Sequence, residues 1–145
     1  MNDVERALEC FKKNYNCSQS IFSTFAPRFG VNRENAIKIA SAFGGGIVRM
    51  GNICGAVSGA FMSIGLKHGK IVDGEEEGPN DKSYDVSREF IERFTSINGS
   101  INCKDLLGCD IGTPEGMQHA EDNNLIETIC IKAVQTSAEI LEKLL

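Results

Sequence analysis

Gly51, Gly55 and Gly59 fall four residues apart in this chain, beside Ala56, Ala60 and Ser63. On a helix that spacing leaves one face nearly bare of side chains. Each interior glycine costs a helix about 1 kcal/mol relative to alanine. The bare face is therefore expected to serve the close approach of another helix, a second chain or a cofactor. Just upstream stand Gly44, Gly45 and Gly46. Three successive glycines permit positive φ and close backbone approach. The segment from Gly44 to Asn52 then ends at an expected helix start near Cys54.

The rest of the chain reads as helices of ordinary amphipathic pattern. Val4, Ala7, Leu8 and Phe11 recur at helical spacing and predict a helix over Asn2 to Lys13. Asn16 with Gln19 three residues later matches a capping box, so a second helix is expected from Cys17 to about Arg28. Gly30 stops it, and Asn32 caps a third helix carrying Ala36, Ile37, Ile39, Ala40 and Phe43. The glycine-faced helix is expected over Cys54 to about Lys67. A polar loop from Lys67 to Asn80 follows, with Glu75-Glu76-Glu77 as a solvated acidic face. A fifth helix is expected over about Lys82 to Ser96, with Tyr84, Ser87, Phe90, Ile91 and Phe94 inward. Ile97 to Thr113 reads as irregular apart from a short turn at Cys103 to Leu107. A last helix is expected over about Asn123 to Leu144, its apolar face including Ile126, Ile129, Cys130, Ala133, Val134, Ser137 and Leu141. The sequence predicts an all-α, single-domain helical bundle over residues 1–145, with five or six helices and a glycine-rich central segment. Met50 and Met62 are expected in the core.

Composition narrows the class of function. The chain has 145 residues, a net charge of −5 and 41% hydrophobic content, so a real core is expected rather than disorder. No basic stripe favours nucleic acid. No apolar run reaches the about 18 residues of a membrane span. The first residues, Met1 to Arg6, lack a charged-then-apolar leader, and the expected location is the cytoplasm.

Six cysteines are a heavy load for a chain expected in a reducing compartment, and point to metal binding or redox work more than to disulfides. Three sit at expected helix starts: Asn16-Cys17, Asn52-Ile53-Cys54 and Asn102-Cys103. A helix N-terminus offers free N–H groups and about half a positive charge, which favours thiolate over thiol. No Cys-x-x-Cys occurs, so a thioredoxin-type pair and a zinc ribbon are excluded, as is the compact ferredoxin run. The ends of the Cys17, Cys54 and Cys103 helices can converge, with Cys130 approaching from the side of the last helix. Cys109 is a further candidate, either as ligand or as resolving thiol. Cys10 is expected to pack as a small hydrophobe. Gly45, Gly46, Gly55 and Arg49 are candidates to contact a cofactor or anion. His68 and His119 are expected to be a dipole-complementing and a solvated imidazole, not ligands.

These residues resemble the C-GCAxxG-C-C family, described as redox-active from its cysteines. The resemblance runs from Asn16-Cys17-Ser18-Gln19 to Cys130. It centres on Gly44-Gly45-Gly46 through Cys54-Gly55-Ala56-Val57-Ser58-Gly59 and continues at Cys103-Lys104-Asp105-Leu106-Leu107-Gly108. The family signature maps onto Cys17, Cys54, Cys103 and Cys130. The resemblance implies a redox or metal role, with an oxidoreductase or a transporter-associated protein as partner, and does not name a reaction.

Three readings stand at this point. The first is an electron-transfer protein in which Cys17, Cys54, Cys103 and Cys130, with Cys109 as an extra candidate, hold an iron–sulfur cluster, zinc or another metal. The second is a metal-free thiol–disulfide switch, with Cys54 as the activated thiolate and Cys103 among its resolving partners. The third is a non-catalytic module that forms a homodimer through the glycine face.

Overall fold

Apolar residues three and four apart bury one stripe of each helix, and the stripes meet in a bundle. The structure is a computed structural model that describes residues 1–71, 73 and 81–145. The Glu75–Glu77 run and most of the loop expected around it lie outside the described residues. Eight α-helices are present among those described, more than the five or six expected. They are α1 (Asp3–Lys12), α2 (Cys17–Phe25), α3 (Arg33–Ile39), α4 (Gly55–His68), α5 (Lys82–Asn98), α6 (Cys103–Leu107), α7 (Pro114–Asp122) and α8 (Ile131–Leu144). Two short 3₁₀ turns, Ala26–Phe29 and Ser41–Phe43, follow α2 and α3, and a π-helical turn, Ile126–Cys130, leads into α8.

The additional helices are α6, expected only as a short turn, and α7, whose mostly polar residues carry no apolar stripe. The start of α7 is nonetheless locally encoded. Thr113 accepts from the Gly116 amide at 3.0 Å, and Pro114 occupies the first turn. The π turn was also unforeseen, because the apolar period from Ile126 onward reads as one continuous helix.

Helices α2, α4 and α8 form the centre of the bundle, with α1 against α2 and α8, and α5 against α4 and α8. The main core gathers Ile21 and Phe25 from α2, Val57 and Ile64 from α4, Phe90 and Phe94 from α5, and Val134 and Leu141 from α8. Phe90 stacks on Phe94 at 5.7 Å between centroids, and Phe61 meets Phe90 edge-on at 6.2 Å.

The bare face of α4 is covered by α2. A Cβ on Gly59 would stand 2.9 Å from Ser18 O and 3.0 Å from Ile21 Cβ. A Cβ on Gly55 would stand 2.8 Å from Ser18 N and 3.0 Å from Cys17 Cβ. Close helix approach within one chain, not a subunit contact, is what these two glycines serve. Buried hydroxyls complete the seams: Ser58 Oγ lies 3.2 Å from Ser18 Oγ, and Ser137 on α8 donates to Ala56 O at 2.8 Å.

Three apolar residues expected inside are exposed. Met50 is 60% exposed on the glycine-rich segment and Ile39 is 51% exposed at the end of short α3, which packs through Ala36 and Ala40 instead. Tyr84 is 52% exposed, with the Arg88 guanidinium 5.7 Å from its ring.

Candidate redox site

Local capping holds the first of the cysteine helix starts. Asn16 accepts from Gln19 N at 2.8 Å and Gln19 Oε1 accepts from Asn16 N at 2.9 Å, a complete capping box. Asn16 also reaches Ser41 O at 3.1 Å, tying the start of α2 to the turn before the glycines. The other two asparagines do not cap by their side chains. Cys54 itself is the N-cap of α4, and Asn102 sits at the start of α6 with no side-chain cap.

A short antiparallel contact brings those two starts together. Ile53 and Asn102 form an isolated β-bridge; Cys54 N donates to Ile101 O and Cys103 N to Asn52 O, both at 2.7 Å. Cys54 and Cys103, 49 positions apart, are thus fixed side by side by backbone hydrogen bonds.

The segment before Cys54 is backbone of an uncommon kind. Gly45, Gly46, Ile47, Val48 and Arg49 all have positive φ, from 50° to 72°. Glycine adopts this region freely, but β-branched Ile47 and Val48 do so at about 1–2 kcal/mol each. Wide loop bonds hold the coil, including Val48 N to Ala42 O at 2.9 Å and Asn52 N to Gly46 O at 2.9 Å. Gly46 is required at its place, since a Cβ would lie 2.6 Å from Asn52 N and 2.8 Å from Cys103 Cβ.

Four cysteines face one another across this frame. Cys17, Cys54 and Cys103 are buried and Cys130 is half-buried; all are free thiols. They border one cavity of about 850 Å³, together with Gly44, Gly45, Gly46, Gly55 and Arg49. The candidates read from the sequence therefore meet at one place, except Cys109, and Cys10, expected only to pack, also lies elsewhere. Cys109 packs behind Cys103 in a separate apolar cluster and does not line the cavity. Cys10 lies between α1 and α2, its sulfur 3.7 Å from Ser23 Oγ. Neither histidine lines the cavity.

The electrostatics reverse the expectation from helix starts. Burial pushes the Cys54 thiol up to about 11, although the Ala56 and Val57 amides act on its sulfur in the opposite sense. Burial, followed by the nearby Cys54, Cys130, Cys109 and Asp110, pushes Cys103 up to about 12. Cys17 rises well above its ordinary value, through its hydrogen bond to Cys130 and then through burial. Cys130 alone is lowered, because the Cys17 thiol donates to its sulfur and outweighs desolvation. The desolvation of a buried anion exceeds what a helix N-terminus returns. The one thiol of the set whose ionisation is favoured is thus the cysteine that does not stand at a helix start.

Sequence reading did not find the other walls of the cavity. Phe11, Lys12 and Tyr15 come from the end of α1 and the turn after it, Met117 from α7, and Ile126, Glu127 and Ile131 from around the π turn. Phe11 was legible only as part of an apolar stripe. No local signal marks these positions, since they approach the cysteines through the packing of α1 and α8 against α2.

Among the described residues, no group of three or more His, Cys, Asp or Glu side chains is arranged to hold a single metal ion, and no helix is long and apolar enough to cross a membrane. The chain is 29% identical over 107 residues to an uncharacterized protein of Archaeoglobus fulgidus, covering 70% of this chain and 71% of the relative. No solved structure matches it. The profile of the family described as "Putative redox-active protein (C_GCAxxG_C_C)" matches residues 15–144, a span that holds Cys17, Cys54, Cys103 and Cys130 and the glycine-rich frame between them, and the chain belongs to that family.

Proposed function

We propose that this protein is a redox carrier whose Cys17, Cys54, Cys103 and Cys130 hold an iron–sulfur cluster. One observation carries the reading: four sulfurs from four separate elements border a single cavity, with no imidazole among its walls. Four thiolates are the donor set of such clusters. A cluster bound there supplies one-electron transfer. The chain's own part is to present Gly44, Gly45 and Gly46 backbone beside the sulfurs and to release the thiol protons of Cys17, Cys54 and Cys103 on loading. An oxidoreductase is the partner this reading calls for, in a reducing compartment.

Anaerobic incubation of the reduced chain with ferrous iron and sulfide tests it. Bound iron and sulfide in stoichiometric amount, lost in Cys54→Ser and Cys103→Ser and retained in Cys10→Ser, are expected. Absence of bound iron in the well-folded wild type would reject the cluster.

A second reading has its own observation: Cys17 and Cys130 border the same cavity and act on each other's titration, one raised and the other lowered. Here the Cys130 thiolate attacks a low-molecular-weight disulfide, forming a mixed disulfide and releasing one thiolate. Cys17 then attacks the mixed disulfide, closing Cys17–Cys130 and releasing the second thiolate. The two cysteines are oxidised by two electrons and the small disulfide is reduced to two thiols. In this reading the nucleophile is Cys130 rather than Cys54. Peptide mapping after mild oxidation should recover a Cys17–Cys130 linkage, and recovery of any other pairing would reject it.

A further inference from the structure

The cavity beside the thiols is larger than a metal centre needs. At about 850 Å³ it falls in the range of pockets that enclose small organic molecules. Its walls divide by chemistry. Phe11, Tyr15, Met117 and Ile126 supply apolar and aromatic surface. Lys12 and Arg49 supply two positive charges, against one carboxylate, Glu127. Neither cation has an ion-pair partner among the described residues, and the Gly44, Gly45 and Gly46 amides make no hydrogen bond there. Two free cations and three free amides at the edge of an apolar chamber are complementary to an acid group on an apolar body.

We propose that this cavity is a binding site for an amphipathic organic anion, with its apolar body against Phe11 and Met117 and its acid group toward Arg49, Lys12 and the glycine amides. The inference rests on the four thiols being the working centre, as proposed above, and adds that they act on a bound small molecule as well as on a protein partner. The pocket places such a molecule directly against the cysteines, since the same cavity is bordered by Cys17, Cys54, Cys103 and Cys130.

The test uses two aromatic disulfides on the reduced, metal-free full chain. One is dithiobis-nitrobenzoate, which bears two carboxylates; the other is dithiodipyridine, which is uncharged. Thiolate attack on either probe forms a mixed disulfide and releases one aromatic thiol per cysteine, which absorbs light. The rate with the dianionic probe is expected to saturate with probe concentration, because binding precedes attack. Its half-saturation should rise about three- to fivefold in Arg49→Gln, as loss of one exposed charge contact predicts. The uncharged probe should shift less. Lys12→Gln, on the regular helix α1, gives the same readout without touching the left-handed segment. A rate that climbs linearly without saturation, or equal effects of both substitutions on charged and uncharged probes, would overturn the proposal. Neither result bears on iron content, so this inference and the cluster reading fail separately.

Discussion

Alanine at Gly59 and alanine at Gly65 are the same chemical change on the same helix, and they are expected to shift stability in opposite directions. Both positions lie inside α4 and neither has positive φ. Helix propensity alone favours alanine by about 1 kcal/mol at each. At Gly65 a Cβ meets no heavy atom within 4 Å, so that gain is realised in full. At Gly59 the Cβ would stand 2.9 Å from Ser18 O and 3.0 Å from Ile21 Cβ. The first of these is backbone in the first turn of α2 and cannot rotate away. Overpacking of a tight seam costs about 1–3 kcal/mol, so a central value of about 2 kcal/mol outweighs the gain and leaves a net loss of about 1 kcal/mol. For a chain of this size 1 kcal/mol corresponds to about 3 °C in Tm. Thermal unfolding of the reduced protein should place Gly65→Ala about 3 °C above wild type and Gly59→Ala about 3 °C below. If Gly59→Ala is as stabilising as Gly65→Ala, the α2–α4 seam is not the reason for the glycine face. If Gly59→Ala instead leaves Tm intact and changes oligomeric state by light scattering, the face belongs to a second subunit after all.

The raised thiols make three further predictions about pH and reactivity. Cys54, up at about 11 against an ordinary value of 9.0, keeps its proton in the folded state where the unfolded chain has lost it. Its contribution, about 3 kcal/mol, is present below about pH 9 and lost as pH rises through about 11, so Tm of the metal-free protein should fall over that window and fall less steeply in Cys54→Ser. The same protons must leave when a metal centre is loaded, so iron uptake should strengthen by tenfold or more per pH unit between pH 7 and 8, measured by competition with a chelator. A pH-independent uptake would contradict the thiol state described here. Iodoacetamide at pH 7 should label Cys130 ahead of Cys54 and Cys103, and Cys17→Ala, which removes the donated hydrogen bond, should slow that labelling; peptide mapping gives both rates.

The cysteine site was legible in part because a four-residue spacing and a chain-wide signature are both written in one dimension. Asn16 with Gln19 marks the start of α2, the stripe of Phe90 and Phe94 marks the inner face of α5, and the Gly55–Gly59 repeat marks a helix that must be approached closely. Each of these depends on neighbours within about one turn, where hydrogen bonding and side-chain periodicity act. The grouping of Cys17, Cys54, Cys103 and Cys130 was also nameable from their spacing and family likeness, though not their arrangement.

The remainder belongs to packing. The Ile53–Asn102 bridge, which sets Cys54 beside Cys103, joins residues that no local pattern connects. The glycine face of α4 finds its partner in α2 of the same chain, because Ser18 and Ile21 fit against it. Ile47 and Val48 take left-handed backbone that their own side chains disfavour, because the hydrogen bonds of the enclosing coil hold them there. The charge state of the thiols is the clearest case. A helix start is a local feature and argues for thiolate at Cys17, Cys54 and Cys103. Desolvation and the neighbouring sulfurs depend on residues dozens of positions away; they push those three thiols up, whereas Cys17 moves Cys130 down. Short-range order can be read along the chain, whereas burial and Coulomb interaction exist only once distant segments have met.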